Sequence, residues 1–187
     1  MKNRVYGVLL LFVPVLLFCA AFPVLAGEAV SPCDLFTRPD AEGLFGCPVS
    51  EGVFRVATSP AGGSCRYSYE KDGNVYGITV RVADTVSITE EGIYDSAKDV
   101  FDRQVRARKA SEEASKKYKE IENLGDGAFW EGTSLWMLLE DSLVIIKVNS
   151  FLPGSFSGQE QMDSAREEQD LSFSLKAAEI ILQRLNK

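Results

Sequence analysis

Ser64-Cys65-Arg66-Tyr67-Ser68-Tyr69-Glu70-Lys71-Asp72-Gly73-Asn74-Val75-Tyr76-Gly77-Ile78-Thr79-Val80-Arg81-Val82 decides the class of this fold. Cys65, Tyr67 and Tyr69 fall on one face of an extended segment, and Arg66, Ser68 and Glu70 on the other. After Asp72-Gly73-Asn74 the alternation resumes, with Tyr76, Ile78, Val80 and Val82 on one face and Thr79 and Arg81 opposite. A period of two, interrupted by residues that tolerate a left-handed backbone, is the pattern of an antiparallel hairpin. Val53-Phe54-Arg55-Val56 precedes it as a further strand, joined through Gly62-Gly63.

Outward from this meander the period becomes helical. On the N-terminal side, Ser31-Pro32 caps a first turn through Phe36, and Thr37 with Pro39 opens a second that Gly46 closes. On the C-terminal side, Ser87-Ile88-Thr89-Glu90 has capping-box spacing, so a helix is expected to start there. Its apolar stripe runs through Ile93, Ala97, Val100, Phe101 and Val105, and fades into Lys109 to Lys117. Ile121 and Leu124 mark a short fourth strand. Ser134 to Leu139 and Leu143 to Asn149 form a hairpin through Glu140-Asp141-Ser142, and Leu143-Val144-Ile145-Ile146 is apolar on both faces, as in a central strand. The first half of Ser150 to Gln169 reads as a loop. Leu171, Leu175, Ala178, Leu182 and Leu185 then recur at helical spacing, with Arg184 and Lys187 near the negative pole of the helix dipole. The order α-βββ-α-βββ-α predicts an α+β two-layer sandwich, an antiparallel sheet of about six strands with helices packed on one face.

The N-terminus carries an export signal. Met1-Lys2-Asn3-Arg4 is basic, Val5 to Ala26 holds no charge, and the first acid is Glu28. The apolar centre, Val8 to Phe18, is 11 residues long and contains Pro14, whereas a membrane-spanning helix needs about 20 apolar residues. Val24-Leu25-Ala26 before Gly27 offers small side chains to signal peptidase, so residues 1–26 are expected to be removed after Ala26. The remaining 27–187 then form a single α+β domain with a short tether over 27–31. An uncleaved membrane anchor is the alternative, and Cys19 is badly placed for lipidation because Leu17-Phe18 precedes it. The expected location is periplasmic or extracellular.

The mature portion carries 18 basic and 27 acidic residues over 161 positions, a net charge of −9. That sign repels phosphate backbones and anionic lipid, which argues against nucleic acid or a membrane surface as the main partner. The basic run from Arg103 to Lys119 is interrupted by Glu112 and Glu113 and reads as the solvated end of a helix. Cys33, Cys47 and Cys65 survive cleavage, enough for one disulfide and one thiol. Pairing Cys33 with Cys65 pins the first helix to the sheet and is favoured. Cys33 with Cys47 remains open.

Histidine is absent, which removes the commonest general base, the Ser-His and Cys-His pairs, and most zinc and haem sites. Gly154-Ser155-Phe156-Ser157-Gly158 puts phenylalanine where a nucleophile elbow needs serine. Phosphate-binding glycine loops, calcium-loop spacing and Cys-x-x-Cys are missing too. The adjacent acids Glu90-Glu91, Glu112-Glu113 and Glu167-Glu168 diverge by about 100° on a helix and cannot converge on a substrate. No catalytic residue, metal ligand or cofactor is therefore assigned.

Gly125-Asp126-Gly127-Ala128-Phe129-Trp130-Glu131-Gly132 is the densest constellation. It reads either as a tight turn with one aromatic plugging the core, or as a loop presenting an aromatic platform and a carboxylate to a ligand. The candidate contacts are Asp126, Phe129, Trp130 and Glu131, with Tyr67 and Tyr69 from the neighbouring strand.

Cys33-Asp34-Leu35-Phe36-Thr37, Leu44-Phe45-Gly46 with Pro48-Val49, Ser64-Cys65-Arg66-Tyr67, Leu124 to Trp130 and a closing helix Ala177 to Leu185 together carry a likeness. The chain resembles a widespread group of exported bacterial domains of unknown function, among them actinobacterial cell-envelope lipoproteins. The resemblance spans nearly all of the mature portion and implies the Cys33–Cys65 pairing, since those positions match and Cys47 does not. It implies no activity. The expected function is a non-catalytic exported module that binds a small ligand or a cell-envelope protein. A membrane-tethered envelope subunit and a carboxylate- or thiol-dependent enzyme are the other readings.

Overall fold

A computed structural model describes residues 30–185. The expected signal peptide, its expected cleavage point and Cys19 lie outside the described residues, and of the expected tether only Val30 and Ser31 are described. Six helices and seven strands follow one another: α1 (Pro32–Leu35), α2 (Arg38–Phe45), β1 (Val53–Thr58), β2 (Ala61–Lys71), β3 (Asn74–Asp84), α3 (Thr85–Glu91), α4 (Ala97–Ala110), α5 (Glu112–Ser115), β4 (Lys119–Ile121), β5 (Gly127–Trp130), β6 (Leu135–Leu139), β7 (Ser142–Asn149) and α6 (Gln159–Leu185).

The class is α+β, and all seven strands form one antiparallel sheet in the order β1-β2-β3-β7-β6-β5-β4. The β2–β3 hairpin pairs Cys65 with Val80 and Tyr67 with Ile78, so the alternating apolar faces of both strands coincide. β3 then pairs with β7, and two meanders become one sheet.

Seven strands stand where six were expected, because Gly127–Trp130, read as a loop, pairs with both β4 and β6. The helices also cover both faces, not one. α1, α2 and α6 pack with Cys65, Tyr67, Val80, Met137 and Ile146 in one core. On the other face, Ile88 of α3 and Ala97, Val100 and Phe101 of α4 pack against Phe129, Trp136, Leu138 and Leu143. The physical reason is the composition of β6 and β7: Leu135-Trp136-Met137-Leu138 is buried throughout, and a strand apolar on both faces needs cover on both.

Local signals set most helix ends. The Asp40 carboxylate accepts the Thr37 backbone N–H at 2.7 Å, and Gly46 ends α2 in the left-handed region at φ 68°. The expected single helix from Ser87 is two helices. Asp84 caps α3 by accepting the Ser87 N–H at 2.8 Å, Gly92 ends it at φ 77°, and Ser96 caps α4 by accepting the Asp99 N–H at 3.0 Å. Ile93 lies in the break and is exposed, whereas Ala97, Val100 and Phe101 of the expected stripe are buried, joined by Ile88 of α3. α6 begins at Gln159, before the apolar recurrence at Leu171, because its first turns stand on a polar face.

Candidate functional site

The sequence candidates occupy structural positions. Phe129 and Trp130 are both fully buried, on opposite faces of β5. The Trp130 Nε1–H donates to Glu167 Oε1 at 3.3 Å, and Glu131 pairs with Arg108 at 2.7 Å. Tyr67 is buried in the same core as Trp130 and donates its hydroxyl to the Phe36 carbonyl at 2.8 Å; burial raises its pKa. The Tyr69 hydroxyl accepts the Phe151 N–H at 3.0 Å. Asp126 is exposed, and its carboxylate accepts the Glu140 N–H at 2.6 Å. The six residues do not converge on one surface. Most of the basic run is ion-paired, with Arg103 on Asp99, Lys109 on Glu120 and Lys117 and Lys119 both on Glu167.

Cys33 and Cys65 form the disulfide, joining α1 to β2 with their Cα atoms 5.1 Å apart. Cys47 is a free, half-buried thiol beside Tyr69, Phe151 and Phe173 in a shallow depression of about 690 Å³. Among the described residues, no group of three or more histidine, cysteine or acidic side chains is arranged to hold a metal ion, and no helix is long and apolar enough to cross a membrane.

A larger concavity lies elsewhere. At the end of the sheet where β1, β3 and β6 finish and β2 and β7 begin, a groove of about 1600 Å³ is lined by α1 and α6 from one face and by α3 from the other. Its floor includes Gly63, Val82 and Val144. One wall is apolar, from Leu35 of α1 and Leu182 and Leu185 of α6, and Phe54 and Val56 of β1 close one end. The other wall is acidic, with Asp84, Glu90 and Glu91 at α3 and Asp126, Glu140 and Asp141 at the turns before β5 and β7.

Several of its apolar side chains stand in water: Val56 is 78% exposed, Val86 67% and Phe54 53%. Three of the acids brace the wall. Asp84 caps α3, Asp126 takes the Glu140 N–H, and Glu91 Oε2 takes the Ala61 N–H at 2.8 Å. Of the sequence candidates, Asp126 alone lines this groove. Phe54 and Val56 carried the signal of a half-buried strand, and nothing in their spacing says that β1 is an edge strand with its apolar side chains uncovered.

Comparison with known proteins found no matching family model, no similar curated protein and no similar solved structure.

Proposed function

We propose that this chain is an exported, non-catalytic module that binds a small ligand or a cell-envelope protein in the groove at the end of its sheet. The observation that carries the reading is the groove: a concavity of about 1600 Å³ whose apolar side chains are left exposed next to a well-packed double core. Exposed apolar surface gathered in one concave place marks a site of association, since scattered hydrophobic residues are ordinary and grouped ones are not.

The Cys33–Cys65 bridge supports both halves of the proposal. It favours an oxidising compartment. It also ties α1, which supplies Pro32 and Leu35 to the groove, to β2, which supplies Gly62 and Gly63. A wall held to its floor before the ligand arrives lowers the ordering cost of binding.

The test uses Nile red, a neutral apolar dye, with the secreted protein. The dye is expected to bind with enhanced fluorescence and to be lost in Val56→Asp and Val86→Asp, both at exposed positions, with circular dichroism unchanged. Dye that ignores the protein, or that binds both variants as well as wild type, removes the groove as the site. Mass spectrometry of the same sample tests export, with Gly27 expected as the first residue and Met1 overturning it.

A further inference from the structure

We infer that the occupant of this groove is an extended segment of a partner protein in which apolar and basic residues alternate. The inference rests on the groove reading and adds the ligand's chemistry. The first argument is charge. Six carboxylates line one wall, those of Glu90, Glu140 and Asp141 are exposed and make no hydrogen bond or ion pair within the described chain, and no lysine or arginine lines the groove among the described residues. The last turn of α6, carrying Leu182 and Leu185, adds the negative end of a helix dipole on the opposite side. Arg184, the basic residue of that turn, does not line the groove and is bound to Asp40 and to the Leu35 carbonyl, each at 2.6 Å. A field of one sign in an apolar cleft draws and orients a cationic partner.

The second argument is size and shape. Small-molecule sites occupy roughly 300–1,000 Å³, and this groove is larger at about 1600 Å³. It passes the ends of β1, β2, β3, β7 and β6 to the turn before β5. At a strand spacing of about 4.8 Å that course is roughly 24 Å, the length of about seven extended residues. Successive side chains of an extended segment point to opposite sides. With alternating chemistry, one set meets Leu35, Phe54, Val56 and Leu182 while the other meets Glu90, Glu140 and Asp141.

Capped octapeptides separate this ligand class from its competitors: (Lys-Leu)4 as probe, (Glu-Leu)4 with reversed charge, and (Lys-Ser)4 without the apolar face. Titrated against the mature protein at low ionic strength, (Lys-Leu)4 is expected to bind at least tenfold tighter than either of the others. The double variant Glu140→Gln, Asp141→Asn is expected to weaken it about fivefold, the sum of two modest rim pairs. Glu112→Gln with Glu113→Gln on α5, the same change in net charge outside the groove, is expected to leave it within twofold. Equal affinity for (Lys-Leu)4 and (Glu-Leu)4, or equal loss in the two double variants, overturns the inference. Nile red binding in that case leaves the groove standing with a neutral or small ligand, and its absence sinks both readings together.

Discussion

Phe129 and Trp130 are neighbours in the chain and both are sealed from solvent, yet they belong to different cores. Phe129 stacks on Trp136 with ring centroids 5.7 Å apart beneath α4, while Trp130 lies with Tyr67 and Met137 beneath α6. A four-residue strand therefore ties the two helical layers together through the sheet. Truncation of either ring to alanine is expected to cost about 3–5 kcal/mol in urea unfolding. The tryptophans differ in a way conservative substitution can read. Trp130 Nε1 has Glu167 as acceptor, whereas Trp136 Nε1 is buried without a partner. Trp130→Phe loses a hydrogen bond, with Glu167 left to its ion pairs with Lys117 and Lys119, while Trp136→Phe removes a donor that was already unsatisfied. Trp136→Phe is expected to be the milder of the two; the reverse order contradicts this account of the two indoles.

What the sequence revealed and what it hid separate along the same line. Alternation in Cys65 to Tyr69 and Tyr76 to Val82 is a local property, and the sheet shows it residue for residue. Thr37 and Gly46, read as the ends of α2, likewise act within one turn. β5 escaped because four residues between glycines give too short a period to distinguish from a turn, and only pairing with β6 identifies it. The groove escaped for a stronger reason. Val56 and Leu185 are 129 positions apart in sequence, and nothing in the strand pattern of the one or the helical recurrence of the other says that both are exposed and line one groove. Nor could spacing show that Phe129 and Trp130, one of which the structural reading put in the core, are both buried, each in a different core.

The bridge between Cys33 and Cys65 closes a loop of 32 residues. In the chain-entropy picture a loop of that size contributes about 3–4 kcal/mol, chiefly by restricting the unfolded chain. Reduction, or Cys33→Ser with Cys65→Ser, is expected to lower stability by that amount. Cys47→Ser, at a half-buried thiol with no bridge, is expected to change it by less than about 1 kcal/mol. Equal loss in Cys47→Ser and the double variant would mean that the pairing is shared or exchanged.

Asp170 sets a pH dependence. It is buried on α6 and accepts the Ser150 N–H at 3.0 Å and the Ser150 hydroxyl at 2.5 Å. Burial raises its pKa above the ordinary aspartate value, and the Ser150 bonds offset that only in part. The native state therefore holds this proton more tightly than the unfolded chain. Its contribution to stability is fully present below the unfolded pKa and is lost as pH rises through the raised folded value. Asp170→Asn keeps an oxygen for Ser150 and carries no charge to desolvate. The stability of the variant relative to wild type is expected to increase from pH 4 to pH 7 in parallel urea titrations. A difference that stays constant with pH assigns the dependence to other groups.

Gly125 and Gly73 both sit in the left-handed region, at φ 61° and 72°, but only one of them is crowded. A β-carbon on Gly73 meets nothing within 4 Å, whereas one on Gly125 would stand 2.4 Å from the Leu138 carbonyl oxygen. That oxygen already accepts the Asp126 N–H at 2.9 Å, the contact that fastens the turn before β5 to the end of β6. Gly73→Ala is expected to cost only the strain of a left-handed alanine, about 1 kcal/mol. Gly125→Ala adds a clash with backbone that no rotamer can relieve, so it is expected to cost more and to displace Asp126 and Glu140, two carboxylates of the groove. Thermal melts of both variants measure the first part, and (Lys-Leu)4 titration of the folded fraction measures the second. The two losses become equal if the turn has freedom to move away from Leu138, and peptide affinity then survives the substitution.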